Sequence, residues 1–231
     1  MSNASSTVAT KPLEPRDLFG FEAFVSRVEE RFRRRSDLLT ATSGDHALNP
    51  DYNPSERESP FKPAAVLIGI ANRGDDAMVI LTQRAAHLSS HSGQIAFPGG
   101  KIDAGETPIE AALREADEEI GLSSDEVTVL GAMGTYYSGS GYSITPVIAT
   151  VNDRATFSIN RNEVAELFEV PLRFLMDQQN RTLESRFWKG KERHYYVMDF
   201  DDPKRALEEP RRIWGVTAGI IATVQERLYG G

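Results

Sequence analysis

Hydrophobic residues recur at helical spacing in three stretches of the chain and gather into short runs bounded by turn residues in the rest. From Phe19 to Arg35, the residues Phe21, Phe24, Val25, Val28 and Phe32 share one face, with Glu and Arg elsewhere, which predicts an amphipathic helix. It is read as a packing helix or a homodimer contact. From Pro108 to Ile120, the residues Ile109, Ala112, Leu113, Ala116 and Ile120 fall within an arc of about 100°, the width of a core-facing stripe. Both ends of that helix are signalled. Thr107 and Glu110 have the spacing of a capping box, Pro108 stands at the first helical position, and Gly121 supplies a left-handed stop. The third stretch, Ile213 to Leu228, carries Ile213, Val216, Ile220, Ile221 and Val224 and predicts a closing helix.

The remaining pattern is that of strands. Ala64 to Ala71 and Ala77 to Thr82 are apolar, separated by Asn72-Arg73-Gly74-Asp75-Asp76, a hairpin signal. Gln94 to Phe97 predicts a third short strand, and Val127 to Met133, Ser143 to Val151, Val164 to Pro171 and His194 to Phe200 predict four more. Pro146 implies an edge or a bulge in its strand. Ser36 to Lys62, with Asn49-Pro50 and Asn53-Pro54, is an irregular polar connection. Met1 to Asp17 is rich in Ser, Ala, Thr and Pro and is predicted to be disordered. The chain is therefore divided into residues 1–62, a disordered N-terminus with an amphipathic helix and a linker, and residues 63–231, a single globular domain. Strands on both sides of one long helix, with a second helix at the end, predict an α/β sandwich around a mixed sheet.

Composition narrows the function classes. The 231 residues, 40% of them hydrophobic, suffice for one domain with a sizeable core. A net charge of −8 argues against nucleic acid or an anionic membrane surface as the main partner. The absence of cysteine excludes disulfides, thiolate metal sites and a cysteine nucleophile. No apolar run approaches the roughly 18 residues of a membrane span, and Met1 to Pro15 has no apolar signal core. The expected compartment is the cytoplasm.

The acidity is local. Residues 103 to 126 contain nine acids and one base, a balance of −8 that equals that of the whole chain. Glu115, Glu118 and Glu119, at i, i+3 and i+4, share one flank of the predicted helix, while Asp117 points elsewhere. Like charges at these spacings repel, and all three lie towards the negative end of the helix dipole. A hard divalent cation such as magnesium or manganese offsets that repulsion, because it takes carboxylate oxygens and keeps positions open for water and phosphate. Upstream, the paired Gly99 and Gly100 allow backbone groups to approach a metal or ligand that a Cβ would block.

The spacing Gly100, five residues, Glu106, seven residues, Arg114-Glu115-Ala116, one residue, Glu118-Glu119, one residue, Gly121-Leu122 resembles a complete Nudix box. The resemblance implies an α/β/α sandwich over about Pro63 to Leu228 and a metal-dependent hydrolase of pyrophosphate linkages. It assigns Glu115, Glu118, Glu119 and the Gly100 carbonyl to the magnesium or manganese ion. It also implies that Arg114 orients the neighbouring glutamate, with Glu106 as its salt-bridge partner. A glutamate in a later loop often completes such sites or acts as base, and Glu163 in Asn160-Arg161-Asn162-Glu163 is the candidate ahead of Glu166. The catalytic set is thus Glu118, Glu119, Glu163 and Arg114, with the general base one of the cluster carboxylates or the later acid.

A second resemblance bears on substrate. Ile80-Leu81-Thr82-Gln83-Arg84-Ala85, three residues, Ser89, three residues, Gly93, three residues, Phe97-Pro98-Gly99-Gly100 is similar to a motif of coenzyme A pyrophosphatases within the Nudix group, and Ile213 to Ile221 is similar to their bacterial branch. Cleavage of coenzyme A or acyl-coenzyme A to 3′,5′-ADP and (acyl-)4′-phosphopantetheine is what this implies. Arg84 is the candidate phosphate clamp, with a surface ion pair as the alternative, and Gly99 and Lys101 complete the expected substrate side. Ser89 stands where the motif expects a basic residue, so Lys101 and Arg84 are the nearest cations for a 3′-phosphate. The alternatives are hydrolysis of ADP-ribose, a dinucleotide or a nucleotide sugar, and a non-catalytic nucleotide-binding regulator, which would be expected to have lost acids from the cluster. His87 and His91 are read as loop polarity or a substrate hydrogen bond, not as a metal pair. Tyr136, Tyr137 and Tyr142 flank Ser138-Gly139-Ser140-Gly141, a predicted mobile loop whose rings either stack on adenine or pack internally.

Overall fold

The computed structural model describes residues 18–34, 40–74, 76–87, 93–188, 190–205 and 208–230. The disorder expected for residues 1–17 lies outside them. In chain order the main elements are α1 (Phe21–Arg33), β1 (Ser43–Gly44), β2 (Lys62–Arg73), β3 (Asp76–Arg84), β4 (Ile95–Ala96), β5 (Gly99–Lys101), α2 (Pro108–Ile120), β6 (Val127–Ala132), β7 (Tyr136–Tyr137) and β8 (Tyr142–Val151). They continue with β9 (Val164–Pro171), α3 (Leu172–Met176), β10 (Thr182–Trp188), β11 (Lys191–Phe200), β12 (Arg211–Trp214) and α4 (Val216–Tyr229).

Nine strands form one mixed sheet in the order β1-β7-β8-β2-β3-β4, with β5 on β2, β6 on β8 and β9 on β3. The core of the sheet is the parallel pair β2 and β8, in register from Lys62↔Tyr142 to Ala71↔Val151. β2 and β3 are the predicted hairpin, but they stay paired only from Arg73↔Asp76 to Ile70↔Val79. Beyond that point β4 pairs with β3 at Thr82 and Gln83, and β5 pairs with β2 from Ala64 to Val66. The Ile95–Lys101 stretch thus enters the opening between the two hairpin strands, where the Leu67 amide donates to the Pro98 carbonyl at 2.8 Å. This wedge carries the glycine pair.

The sheet is covered on both faces, the α/β/α arrangement expected from the sequence. On one face α2 buries Ala112, Ala116 and Ile120 against Ala65, Leu67 and Ile80. On the other, Phe24 and Val28 of α1, Leu175 of α3 and Ile221 and Leu228 of α4 share a cluster with Ile68, Ile70, Val79 and Ile148. Residues on both sides of position 62 therefore belong to one core. Among the described residues, no helix is long and apolar enough to cross a membrane.

Three local expectations are corrected and one strand is added. Pro146 lies in an interior strand: β8 pairs with β2 along one side and with β7 and β6 along the other. Its carbonyl accepts from Met133 at 2.8 Å, in the gap where the partner changes from β6 to β7, so the missing proline donor faces a break in the ladder. Ile213 belongs to β12, not to the closing helix, because Gly215 at φ 62° turns the chain before α4 begins. β10 had no counterpart in the predicted strands; it joins β11 and β12 in a separate three-stranded antiparallel sheet. The Ser138–Gly141 loop is closed by hydrogen bonds: Ser138 donates to the Tyr142 carbonyl at 2.9 Å, and the Gly139 amide donates to Asp45 Oδ2 at 2.6 Å.

Candidate active site

The site is built where α2 faces β5. Thr107 Oγ1 accepts from the Glu110 amide at 3.3 Å while Glu110 Oε2 accepts from the Thr107 amide at 2.7 Å, which fixes the first turn of α2. Gly121, at φ 65°, ends it. With both ends set, the apolar stripe seats the helix on the sheet, and its acidic flank is aimed at the wedge.

Gly100 is where the two elements come closest. A Cβ at this position would lie 2.3–2.6 Å from the Glu115 carboxylate, so only glycine leaves room for that group against the β5 backbone. Gly99 is needed for a different reason: a Cβ there would lie 2.4 Å from the Ala65 carbonyl oxygen. The Gly99 amide donates to Glu119 Oε2 at 3.2 Å.

Glu119 is only 3% exposed. Burial, together with the repulsion of Glu115 and Glu163, pushes its carboxyl up to about 7, against the opposing pull of the Gly99 amide and Arg84. Burial also raises Glu115, whose neighbours include Arg114 on the stabilising side and Glu118 and Glu163 on the repulsive side. Glu118, with its side chain 54% exposed, stands at the solvent rim of the cluster. These carboxylates repel one another in a poorly solvated corner.

One guanidinium organises the flank. Arg114 grips Glu106 with two bonds, Nε to Oε1 at 2.9 Å and Nη2 to Oε2 at 3.1 Å. Its Nη1 reaches both Glu115 Oε1 and Glu118 Oε2 at 3.0 Å, and Nη2 also donates to the Lys101 carbonyl at 3.0 Å. This arginine in turn holds the Glu106 carboxyl below its usual range. Because Nη1 sits between Glu115 and Glu118, no three acids among the described residues are grouped to hold a metal ion as they stand. The donor set nonetheless fits a hard divalent cation: oxygen ligands only, two carboxyls raised chiefly by burial and by the charge of neighbouring carboxylates, and a glycine gap beside one of them.

Glu163 reaches the cluster from the turn before β9, close enough that its charge raises both Glu115 and Glu119. Asn160 sets this turn: its amide donates to the Glu119 carbonyl at 3.0 Å, and its Nδ2 donates to Glu163 Oε1 at 3.3 Å. Sequence reasoning passed over Asn160, although an Asn three residues before a candidate acid is a recognisable turn-forming signal. Glu166 is engaged elsewhere, with Arg211 at 2.5 Å. Arg84, at the end of β3, places Nη1 3.7 Å from Glu119 Oε1, and its Nε is buried without a hydrogen-bond partner. Lys101 is exposed.

The proposed aromatic platform is mostly occupied. Tyr136 is buried and donates to Asp45 Oδ1 at 2.5 Å, and Tyr137 packs on Phe61 with ring centroids 4.8 Å apart. His87 is an exposed turn residue, while Ser89 and His91 lie outside the described residues.

Fold, helix caps and acidic flank together place the chain in a family: a NUDIX domain model matches residues 60–202, and the chain belongs to the Nudix hydrolases. Its relatives include proteins named uncharacterized Nudix hydrolase NudL. The one from Yersinia enterocolitica is 38% identical over 170 residues, covering 71% of this chain and 80% of the relative. The one from Yersinia pestis is 37% identical over 206 residues, covering 89% and 93%. A solved structure of a Nudix hydrolase from M. smegmatis, RenU, is 34% identical with a TM-score of 0.43, over 49% of this chain and 73% of that one.

Proposed function

We propose that this Nudix hydrolase uses magnesium or manganese to cleave the pyrophosphate bond of coenzyme A or an acyl derivative, giving 3′,5′-ADP and (acyl-)4′-phosphopantetheine. The observation that carries the hydrolytic part is the convergence of the Glu115 and Glu119 side chains on the backbone of Gly99 and Gly100. The substrate part rests on the motif from Ile80 to Gly100 and the segment from Ile213 to Ile221. A cytoplasmic setting suits a chain without cysteine.

Glu115, Glu118, Glu119 and the Gly100 carbonyl would hold the cation. When bound, such an ion neutralises charge on phosphate oxygens and lowers the pKa of water. Arg114, anchored on Glu106, keeps the Glu115 and Glu118 carboxylates turned towards the same side. Glu163, oriented by Asn160, accepts the proton of the attacking water; it is the acid that comes from outside the helix. Arg84 offers phosphate oxygens a guanidinium whose buried Nε has no partner. The exposed Lys101 supplies a second cation for the nucleotide.

The test is phosphate release, with added phosphatase, across coenzyme A, acyl-coenzyme A, ADP-ribose, dinucleotides and nucleotide sugars, with and without magnesium. Magnesium-dependent release that favours the coenzyme A compounds, in excess of what the phosphatase alone frees from their 3′-phosphate, is expected. A preference for ADP-ribose or a dinucleotide would overturn the substrate assignment, and no turnover of any compound would overturn catalysis itself.

A further inference from the structure

The three-stranded sheet ends in an edge that is open to solvent. Among the described residues β10 pairs with β11 alone, from Thr182↔Val197 to Trp188↔Lys191 in unbroken register. It contains neither proline nor bulge, two of the devices that usually blunt such an edge; its charges are Glu184 and Arg186. Leu183 is 55% exposed and Phe187 78%. A strand edge that is exposed and carries apolar side chains is a template for another strand.

We infer that β10 pairs antiparallel with β10 of a second copy of this chain, about a two-fold axis at Ser185, joining two three-stranded sheets into one of six strands. The sequence of the strand favours its own copy as the partner. Directly opposed residues of an antiparallel pair project from the same face, and side chains alternate faces along a strand. A two-fold axis must therefore pass at a residue, not between two. Centred on Ser185, the pairing sets Glu184 opposite Arg186 of the second copy and Leu183 opposite Phe187 of the second copy, each pair occurring twice. The two adjacent centres are unfavourable, since one opposes Glu184 to its own copy and the other opposes Arg186 to its own copy. Only the Ser185 register matches charge with opposite charge and apolar with apolar.

Within the chain Arg186 also stands opposite Arg193, a like-charge pair, and its near neighbours are the rings of Tyr195 and Trp214. Arg193 has Asp51 as partner at 2.8 Å; Arg186 would gain one in Glu184 of the second copy. A seven-residue edge is small for an interface, which sets the expected dissociation constant in the micromolar range.

Sedimentation equilibrium on the full chain, from about 1 to about 100 μM, tests this. A reversible monomer–dimer equilibrium is expected, weakened about tenfold or more by Arg186→Glu, which opposes Glu184 to a second acid. Glu184→Arg should weaken it similarly, and a mixture of the two variants should associate more tightly than either alone, because each then meets its opposite. Glu184 also binds Arg212 at 2.5 Å, so if Glu184→Arg does not fold, Phe187→Ser serves as the second variant. Turnover per chain should be unchanged, as β10 contributes nothing to the carboxylate site. A chain monomeric throughout that range, or a dimer indifferent to Arg186→Glu and Phe187→Ser, would overturn the inference.

Discussion

Gly99 and Gly100 are adjacent, yet the two positions fail differently when a methyl group is added. At Gly100 the new Cβ meets the Glu115 carboxylate, the mobile end of a side chain; at Gly99 it meets the Ala65 carbonyl and the Val66 Cα, which are main chain. Gly100→Ala should therefore displace a carboxylate and leave the fold nearly intact, with turnover reduced at least about tenfold and stability changed by less than about 1 kcal/mol. Gly99→Ala should instead force β2 and β5 apart and cost about 2 kcal/mol or more. Denaturant unfolding and turnover of both variants separate these outcomes; equal stability losses would contradict the geometry. The glycines and acids were legible in sequence because their spacing is local. Arg84 beside Glu119, and the Asn160 amide on the Glu119 carbonyl, were not, since each joins residues far apart in the chain that only the fold brings together.

Elements differ in how openly the chain announces them. α2 carries its cap, its stop and its stripe within fifteen residues, Thr107 to Gly121, so its boundaries follow from local chemistry. β10 is exposed on both faces, so no alternation of core and solvent positions marks it. Ile213 falls at helical spacing from Val216, which draws β12 into the predicted closing helix; what decides the matter is pairing with β11, with Ile213 opposite Met198 and Trp214 opposite Val197. β12 is also tied to the main sheet. Arg211, almost wholly buried, binds Glu166 at 2.5 Å and Asp202 at 2.7 Å, with its guanidinium 3.8 Å from the centre of the Phe168 ring. Burial would raise the Asp202 carboxyl, but Arg211 holds it below its usual value. Arg211→Met should leave that acid without its ion-pair partner, with only the Lys204 amide and charge to offset burial, and destabilise the protein by about 2–4 kcal/mol in urea unfolding. A loss under about 1 kcal/mol would mean that β12 is held by its strand pairing alone.

At the scale of the molecule, the fold is an arrangement for presenting one acidic helix flank to one strand. The long parallel pair β2 and β8 fixes the sheet, the separation of β2 from β3 admits β4 and β5, and α2 lies over that opening with three carboxylates on its rim. The α/β/α layering was legible because each face of the sheet leaves an apolar pattern in the sequence; β4 was legible as the short strand from Gln94 to Phe97, but β5 and the insertion between β2 and β3 were not, because the Gly-Gly-Lys strand has no apolar pattern and its pairing is long-range. The reaction proposed for this arrangement is hydrolysis of the pyrophosphate of coenzyme A. Mass spectrometry of the products formed from coenzyme A and magnesium, with wild type and with Glu119→Gln, tests it most directly. The account predicts 3′,5′-ADP and 4′-phosphopantetheine in equal amounts from wild type and neither from Glu119→Gln, which should fold normally. Intact coenzyme A after incubation with wild type, or equal product from the two proteins, would contradict it.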